Sequence, residues 1–283
     1  MLGAMNVAVD FTTLGLRPEL FTIPAIGGVG PFALRWYSLA YIGGILLGWY
    51  YLTQLLKRPD APMTRPQADD FITWATLGII IGGRLGYVVF YNLQQYIANP
   101  LEILRLWDGG MSFHGGVIGM TIAIVWFSRR NKLNWLRVCD YIACVVPIGQ
   151  MLGRLANFVN GELWGRPTGT SWGVIFPDDV LHVARHPSQL YEAFAEGLVL
   201  LLILAWQFYR TDARLKPGLL VGVFTGGFGI FRFIIEYFRE PDIQVGYLTP
   251  LHLTMGQILC FPMILLGLAL ILYAQRQRVP RPA

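Results

Sequence analysis

Charge is scarce in this chain. Of its 283 residues only 14% are charged, against roughly a quarter in a soluble domain, so an ordinary water-soluble surface is excluded. Cysteine is scarcer still. The three present, Cys139, Cys144 and Cys260, form no CxxC pair, and an odd count argues against both a disulfide framework and a zinc site. The four histidines include no HExxH or similar ligand spacing, so neither a metal nor any other cofactor is expected. GxSxG is also missing, which weakens a hydrolase reading. The 32 glycines have no three-residue period, which rules out collagen. The first twenty residues lack a basic segment followed by an apolar one, so no cleavable signal peptide is expected and the spans themselves direct insertion.

What is abundant is apolar surface: 54% of residues are hydrophobic and the mean hydropathy is +0.49. Such a chain buries too much to be disordered. The composition is that of a membrane protein. A net charge of +5 could suggest nucleic acid, but the basic residues sit in short clusters between apolar runs, where no groove-tracking stripe forms. They read as anchors to a membrane surface.

Seven apolar segments approach the roughly 20 residues that cross a hydrocarbon core. They lie near 34–56, 71–92, 113–128, 139–158, 191–209, 218–237 and 254–275. The third is short, and the HGG at its start is also compatible with a re-entrant loop. Thirteen Lys and Arg fall in one set of connections and the C-terminal tail, among them Lys57, Arg129, Lys132, Arg210 and Arg278, with Arg281 the last. The other set holds six: Arg17, Arg35, Arg105, Arg166, Arg185 and Arg239. By the positive-inside bias the first set is cytoplasmic, so the N-terminus faces out and the C-terminus in. The expected fold is an all-α polytopic membrane protein with about seven transmembrane helices, one integral-membrane domain over 1–283. The one long connection, 159–190, is outside, and its Gly, Pro and Trp favour a small folded cap. Gly78, Gly82 and Gly86 recur on one face of the second segment, Gly115 and Gly119 on the third, and Gly222 and Gly226 on the sixth. These small-xxx-small patterns are read as helix packing.

An ionisable group inside a span costs roughly 2.5–3.5 kcal/mol on insertion scales, which makes it a functional candidate by default. Four are counted: Arg84, Arg154, Arg232 and Glu236. Arg232 and Glu236 are four apart and can pair on one helix face. Arg154 opens the run GRLANFVNGELWGR, in which Asn157 shares its face and Asn160, Gly161 and Glu162 carry that face to the outer mouth. Guanidinium, amide and glycine-rich backbone together suit an anionic oxygen cluster such as phosphate. From span direction, Arg84, Arg154, Arg232 and Glu236 lie in the outer half, with Tyr37 and His114 near the same level. The expectation is an anion-binding cavity at the outer leaflet. His114, flanked by glycines, is a plausible general base with a structural role as the alternative. Asn160, Arg239 and Arg84 join the candidate anion-binding set.

The stretches RWYSLAY, GGRLGYVVFYN, WDGGMSFHGGVIG, GRLANFVNGELWGR, RHPSQLYE and FRFIIEYFREPD occur in this order. Together they closely resemble the prolipoprotein diacylglyceryl transferase family, from about Arg35 to the last span; GRLANFVNGELWGR is the most specific of them. The resemblance implies an enzyme of the bacterial inner membrane, its site toward the periplasm. It would move the diacylglyceryl group of phosphatidylglycerol to the lipobox cysteine thiol of a prolipoprotein, forming a thioether and releasing glycerol phosphate. It also implies His114 as candidate base, Arg154 and Arg232 as essential arginines, and functional positions at Tyr37, Asn157, Glu162, Gly165 and Glu236. Arg35 departs from the histidine of some relatives, and Ala156 from a frequent glycine. A monomer is expected. An organic-anion transporter is the first competing reading, but no internal repeat is visible and the site sits high. A phosphatase or phosphotransferase would need metal-binding carboxylates or a His/Asp nucleophile, which are not evident.

Overall fold

The computed structural model describes residues 8–24, 32–106, 109–240 and 253–277. Arg278 and Arg281 of the orientation count, and residues 107–108 and 241–242 of the quoted motifs, lie outside them. The chain is mostly helical. In order it forms β1 (Val9–Asp10), β2 (Glu19–Ile23), β3 (Phe32–Arg35), α1 (Trp36–Leu55), α2 (Arg65–Tyr91), α3 (Leu93–Ala98), α4 (Phe113–Arg130), α5 (Trp135–Ala143) and α6 (Val146–Val159). Then come β4 (Val174–Ile175), β5 (Ala184–Arg185), α7 (Ser188–Glu192), a π-helical segment (Ala193–Val199), α8 (Leu200–Arg210), α9 (Leu219–Ile235) and α10 (Met255–Gln275). Helices stand at all seven apolar segments. Among the described residues, four stretches are long and apolar enough to cross a membrane: Arg65–Tyr91, Trp135–Val159, Ser188–Arg210 and Met255–Gln275. The third segment is regular helix from Phe113, its first turn capped by Ser112 accepting from the Gly115 N–H at 3.3 Å.

The chain divides into two compact units, Thr53–Cys139 and the remainder. In the first, Thr64 and Gln67 form a reciprocal capping box that starts α2. α2 and α4 then pack backbone to backbone through their glycines. A Cβ on Gly78 would lie 2.7 Å from the Gly119 carbonyl oxygen, and one on Gly86 would lie 2.7 Å from the Gly115 Cα. A side chain at any of these positions would force the helices apart.

The second unit holds the remaining long helices. Here α9 and α10 meet through Gly222 and Gly267, where a Cβ on Gly222 would come 3.0 Å from the Gly267 carbonyl oxygen. Asp140 is fully buried and accepts from the N–H groups of Gly218 and Val221, each at 2.8 Å. It therefore caps the start of α9 from another element, an acidic group placed where helix N–H dipoles converge.

Between α6 and α7 the chain folds into small strands. β4 pairs parallel with β1 and antiparallel with β5. Phe11, Val174 and Phe176 form a small core with Phe158 and Trp164 against it. Arg185, which is buried, ties this part together through Asp179 at 2.7 and 2.8 Å and Glu240 at 2.9 Å. The Arg185 fork also holds the Asp179 carboxyl below the usual carboxylate range, outweighing the opposing effect of burial; the N–H of Leu181 adds to it.

Candidate active site

The centre of the site is a carboxylate that the sequence reading left out. Glu192 ends α7 and is fully buried. Three arginines from different parts of the chain converge on it. Arg154 of α6 reaches one oxygen through Nε at 2.8 Å. Arg232 of α9 and Arg239, just beyond it, reach the other through Nη1 at 2.5 and 2.6 Å. Arg232 also pairs with Glu236 at 3.2 Å, as the four-residue spacing predicts. Arg239 adds a second contact to Glu236 at 3.3 Å, and the Thr254 hydroxyl donates to the other Glu236 oxygen at 3.0 Å.

Local sequence makes this convergence possible. Ala193–Val199 is wound as a π-helix, a form common at functional sites. Gly197 lies in it, directly against Met151 of α6, where a Cβ would come within 2.6 Å of the Met151 Cβ. That close approach brings Arg154, three residues on from Met151, to Glu192. Gly256 works the same way on α10: a Cβ there would lie 2.6 Å from a Glu236 oxygen. Gly165 lets the 165–167 strip pair with residues 185–186 and 238–239. Its N–H donates to the His186 carbonyl at 2.8 Å, and a Cβ would strike the Phe238 carbonyl oxygen.

The polar residues after Arg154 gather as a second cluster. Asn157 and Asn160 donate to one oxygen of Glu162 at 2.8 and 3.1 Å. Gln189, fully buried, donates to the Glu162 carbonyl at 2.6 Å. Tyr37, half-buried in the first turn of α1, lies against Tyr41 with tilted ring planes and centroids 5.1 Å apart, and feels the charges of Glu162 and Arg154.

The arginines differ in what they have left to give. Arg154 uses Nε alone, so both terminal nitrogens are uncommitted among the described residues, and its side chain is 21% exposed. Arg84 is the opposite case. It is buried, and every one of its five N–H groups faces a main-chain carbonyl: Ile103, Glu102, Arg105, Gly109 and Gly110, at 2.5–3.1 Å. Its guanidinium holds the segment before α4 rather than offering donors to a ligand. His114 opens α4 in the Thr53–Cys139 unit, its side chain exposed.

The count of four ionisable groups within spans is corrected here. Glu192 and Glu196 both lie inside Ser188–Arg210, and Asp140 inside Trp135–Val159. The signal for Glu192 and Glu196 was present as two carboxylates four residues apart in YEAFAEGLVLLLIL, masked by the apolar residues around them.

Comparison with known proteins now decides the family. The family model described as prolipoprotein diacylglyceryl transferase matches residues 24–273. The chain belongs to that family. A phosphatidylglycerol–prolipoprotein diacylglyceryl transferase of Zymomonas mobilis is 52% identical over 278 residues, covering 97% of this chain and 96% of the relative. One of Erythrobacter litoralis is 50% identical over 275 residues, covering 97% and 95%. One of Rickettsia bellii is 51% identical over 258 residues, covering 91% and 97%. Across a diacylglyceryl transferase of this family, then, the arginine–carboxylate cluster draws on α6, α7, α9 and the start of α10.

Proposed function

We propose that this chain transfers the diacylglyceryl group of phosphatidylglycerol to the lipobox cysteine thiol of prolipoproteins, the first step of bacterial lipoprotein maturation. A sulfur–carbon bond forms at glycerol C3, the carbon–oxygen bond to phosphate breaks, and glycerol phosphate leaves. One observation carries the reading: three guanidinium groups fixed around a buried carboxylate in a chain of this family.

The chemistry asks for two things. The leaving phosphate needs its growing charge stabilised, and fixed guanidinium groups in a water-poor site do this without reorganising. Arg154 has two terminal nitrogens uncommitted among the described residues with which to hold a phosphate fork to fork. Arg232 and Arg239 add positive field, and Glu192 and Glu236 hold their side chains in place. Asn157, Asn160, Glu162 and Tyr37 line the polar end of α6, and Gly165 keeps the adjoining strip close. The second need is a thiolate. A thiol of pKa near 8.5 is only a few per cent ionised at neutral pH. His114 is the candidate acceptor of that proton, with a carboxylate as the alternative. His114→Gln separates them: as acceptor, its loss stops transfer while phosphatidylglycerol still binds, whereas full activity moves the role to a carboxylate.

Seven spans, N-terminus out and C-terminus in, in the bacterial inner membrane, form the setting of this reading. Residues 159–190 serve as the periplasmic cap of one membrane domain, which works as a monomer. The test is direct. Membranes containing the protein should lipidate a lipobox peptide when phosphatidylglycerol is supplied and not when phosphatidylethanolamine replaces it. Lipidation that ignores the headgroup would overturn the proposal.

A further inference from the structure

Glu196 is the charged group that the transfer chemistry leaves without a task. It stands four residues past Glu192 in the π-helical segment and is fully buried. Neither of its carboxylate oxygens has a hydrogen-bond donor among the described residues. The charges that act on it are Glu192 from α7, Arg154 from α6, Arg232 from α9, and Arg239. From α10 the Cys260 thiol lies in the same field, its own hydrogen bond given to the Gly256 carbonyl at 3.1 Å.

Charge balance gives this position a meaning. Arg154, Arg232 and Arg239 are matched by Glu192, Glu196 and Glu236, so the cluster is neutral when all six are ionised. A phosphodiester docking on the arginines brings one negative charge into a site where unbalanced charge is costly. One proton restores neutrality. Glu192 is held by three guanidinium groups and Glu236 by two together with the Thr254 hydroxyl. Either would weaken those ion pairs on protonation. Among the described residues Glu196 has no such pair to lose.

We propose that Glu196 takes up one proton when an anionic lipid headgroup docks on Arg154, Arg232 and Arg239, so that headgroup binding and protonation of this carboxylate are one linked event. The inference rests on the reading of those arginines as the headgroup site. Linkage sets its sign. The unoccupied site binds fewer protons than the occupied one, so affinity falls as pH rises, by about tenfold per pH unit across the interval between the two protonation midpoints. The phosphodiester itself stays ionised throughout.

The experiment titrates the detergent-solubilised full chain with short-chain phosphatidylglycerol, and with short-chain diacylglycerol, which has no phosphate, as the uncharged control, from roughly pH 5 to 9. Calorimetry in two buffers of different ionisation enthalpy counts the protons taken up by the wild type, which keeps the test sound even if a variant folds poorly. About one proton per headgroup is expected at the pH where affinity is falling. Glu196→Gln, which carries the neutral form permanently, should bind without that pH dependence and tighter than wild type at the alkaline end. Glu196→Asp should keep the dependence. No proton uptake by the wild type, or an unchanged pH dependence in Glu196→Gln, overturns the inference and leaves the headgroup site standing. If Arg154→Ala binds phosphatidylglycerol like the wild type, the headgroup site itself is lost, and this inference with it.

Discussion

At the scale of single residues, the buried Arg84 and the partly exposed Arg154 differ in how many donors each has spent. Arg84 is saturated by five carbonyls, whereas Arg154 has committed only Nε among the described residues. Arg84→Ala should therefore leave five partly buried acceptors short of donors and cost ~3–5 kcal/mol of stability, read as a lowered melting temperature in detergent. Arg154→Ala removes one of three partners of Glu192. It should lower transfer by about 10²–10³-fold with a much smaller effect on melting. A stable Arg84→Ala protein that no longer binds lipid would return Arg84 to the ligand. In the sequence Arg154 stood apart through the polar run that follows it, while Arg84 was as compatible with a structural role as with a functional one; the carbonyls that claim Arg84 come from a connection about twenty residues away. Glu192 shows the converse. It belonged to a quoted motif, yet its central place depends on three chain segments meeting, which no local spacing records.

Elements tell more of themselves in sequence than sites do. The glycine spacing of α2 and α4 predicted backbone contact, and the two helices do touch through Gly78, Gly82, Gly86, Gly115 and Gly119. The π-helical turn at Ala193–Val199 was not legible, since its apolar pattern differs little from that of an α-helix and its cause is tertiary. Gly197 is where that tertiary cause acts. Gly197→Ala would put a methyl within 2.6 Å of Met151. The resulting overpacking should cost ~1–3 kcal/mol and draw Arg154 away from Glu192, lowering transfer as well as melting temperature; a variant that loses neither would deny the contact its importance. The strands between α6 and α7 carry a pH signature of their own. Asp179 titrates below the usual carboxylate range in the folded chain because of Arg185. Its stabilising effect is thus fully present above the unfolded value of about 3.9 and is lost as pH falls through the lower folded one. Trp164, stacked on Phe176 at 5.4 Å, reports on this core. Its fluorescence should hold through the ordinary carboxylate range and change only below it, while Asp179→Asn should weaken the fold already at neutral pH and shift that acid transition.

For the whole molecule, apolar length and basic-residue asymmetry do separate work: the first says which helices can cross, the second which way they run. Four stretches qualify by length and hydropathy. Of the others, α1 is 20 residues long but diluted by Trp and Tyr, and α4 ends in Arg129 and Arg130, features that suit the two interfaces of a bilayer as well as they lower a hydropathy average. The proposed orientation requires all seven to cross, because omitting any one would reverse every connection after it. Two positions test this together. Val180, 91% exposed, lies in the long connection assigned outside, and Lys132, exposed after α4, lies in one assigned to the cytoplasm. In spheroplasts, a membrane-impermeant maleimide should label Val180→Cys at once and Lys132→Cys only after the membrane is opened. The native Cys144 and Cys260 are buried, so replacing Cys139 with Ser gives a quiet background. Labelling of both positions from outside would mean that an odd number of crossings between them is wrong, and α5–α6 would have to lie in the membrane without traversing it.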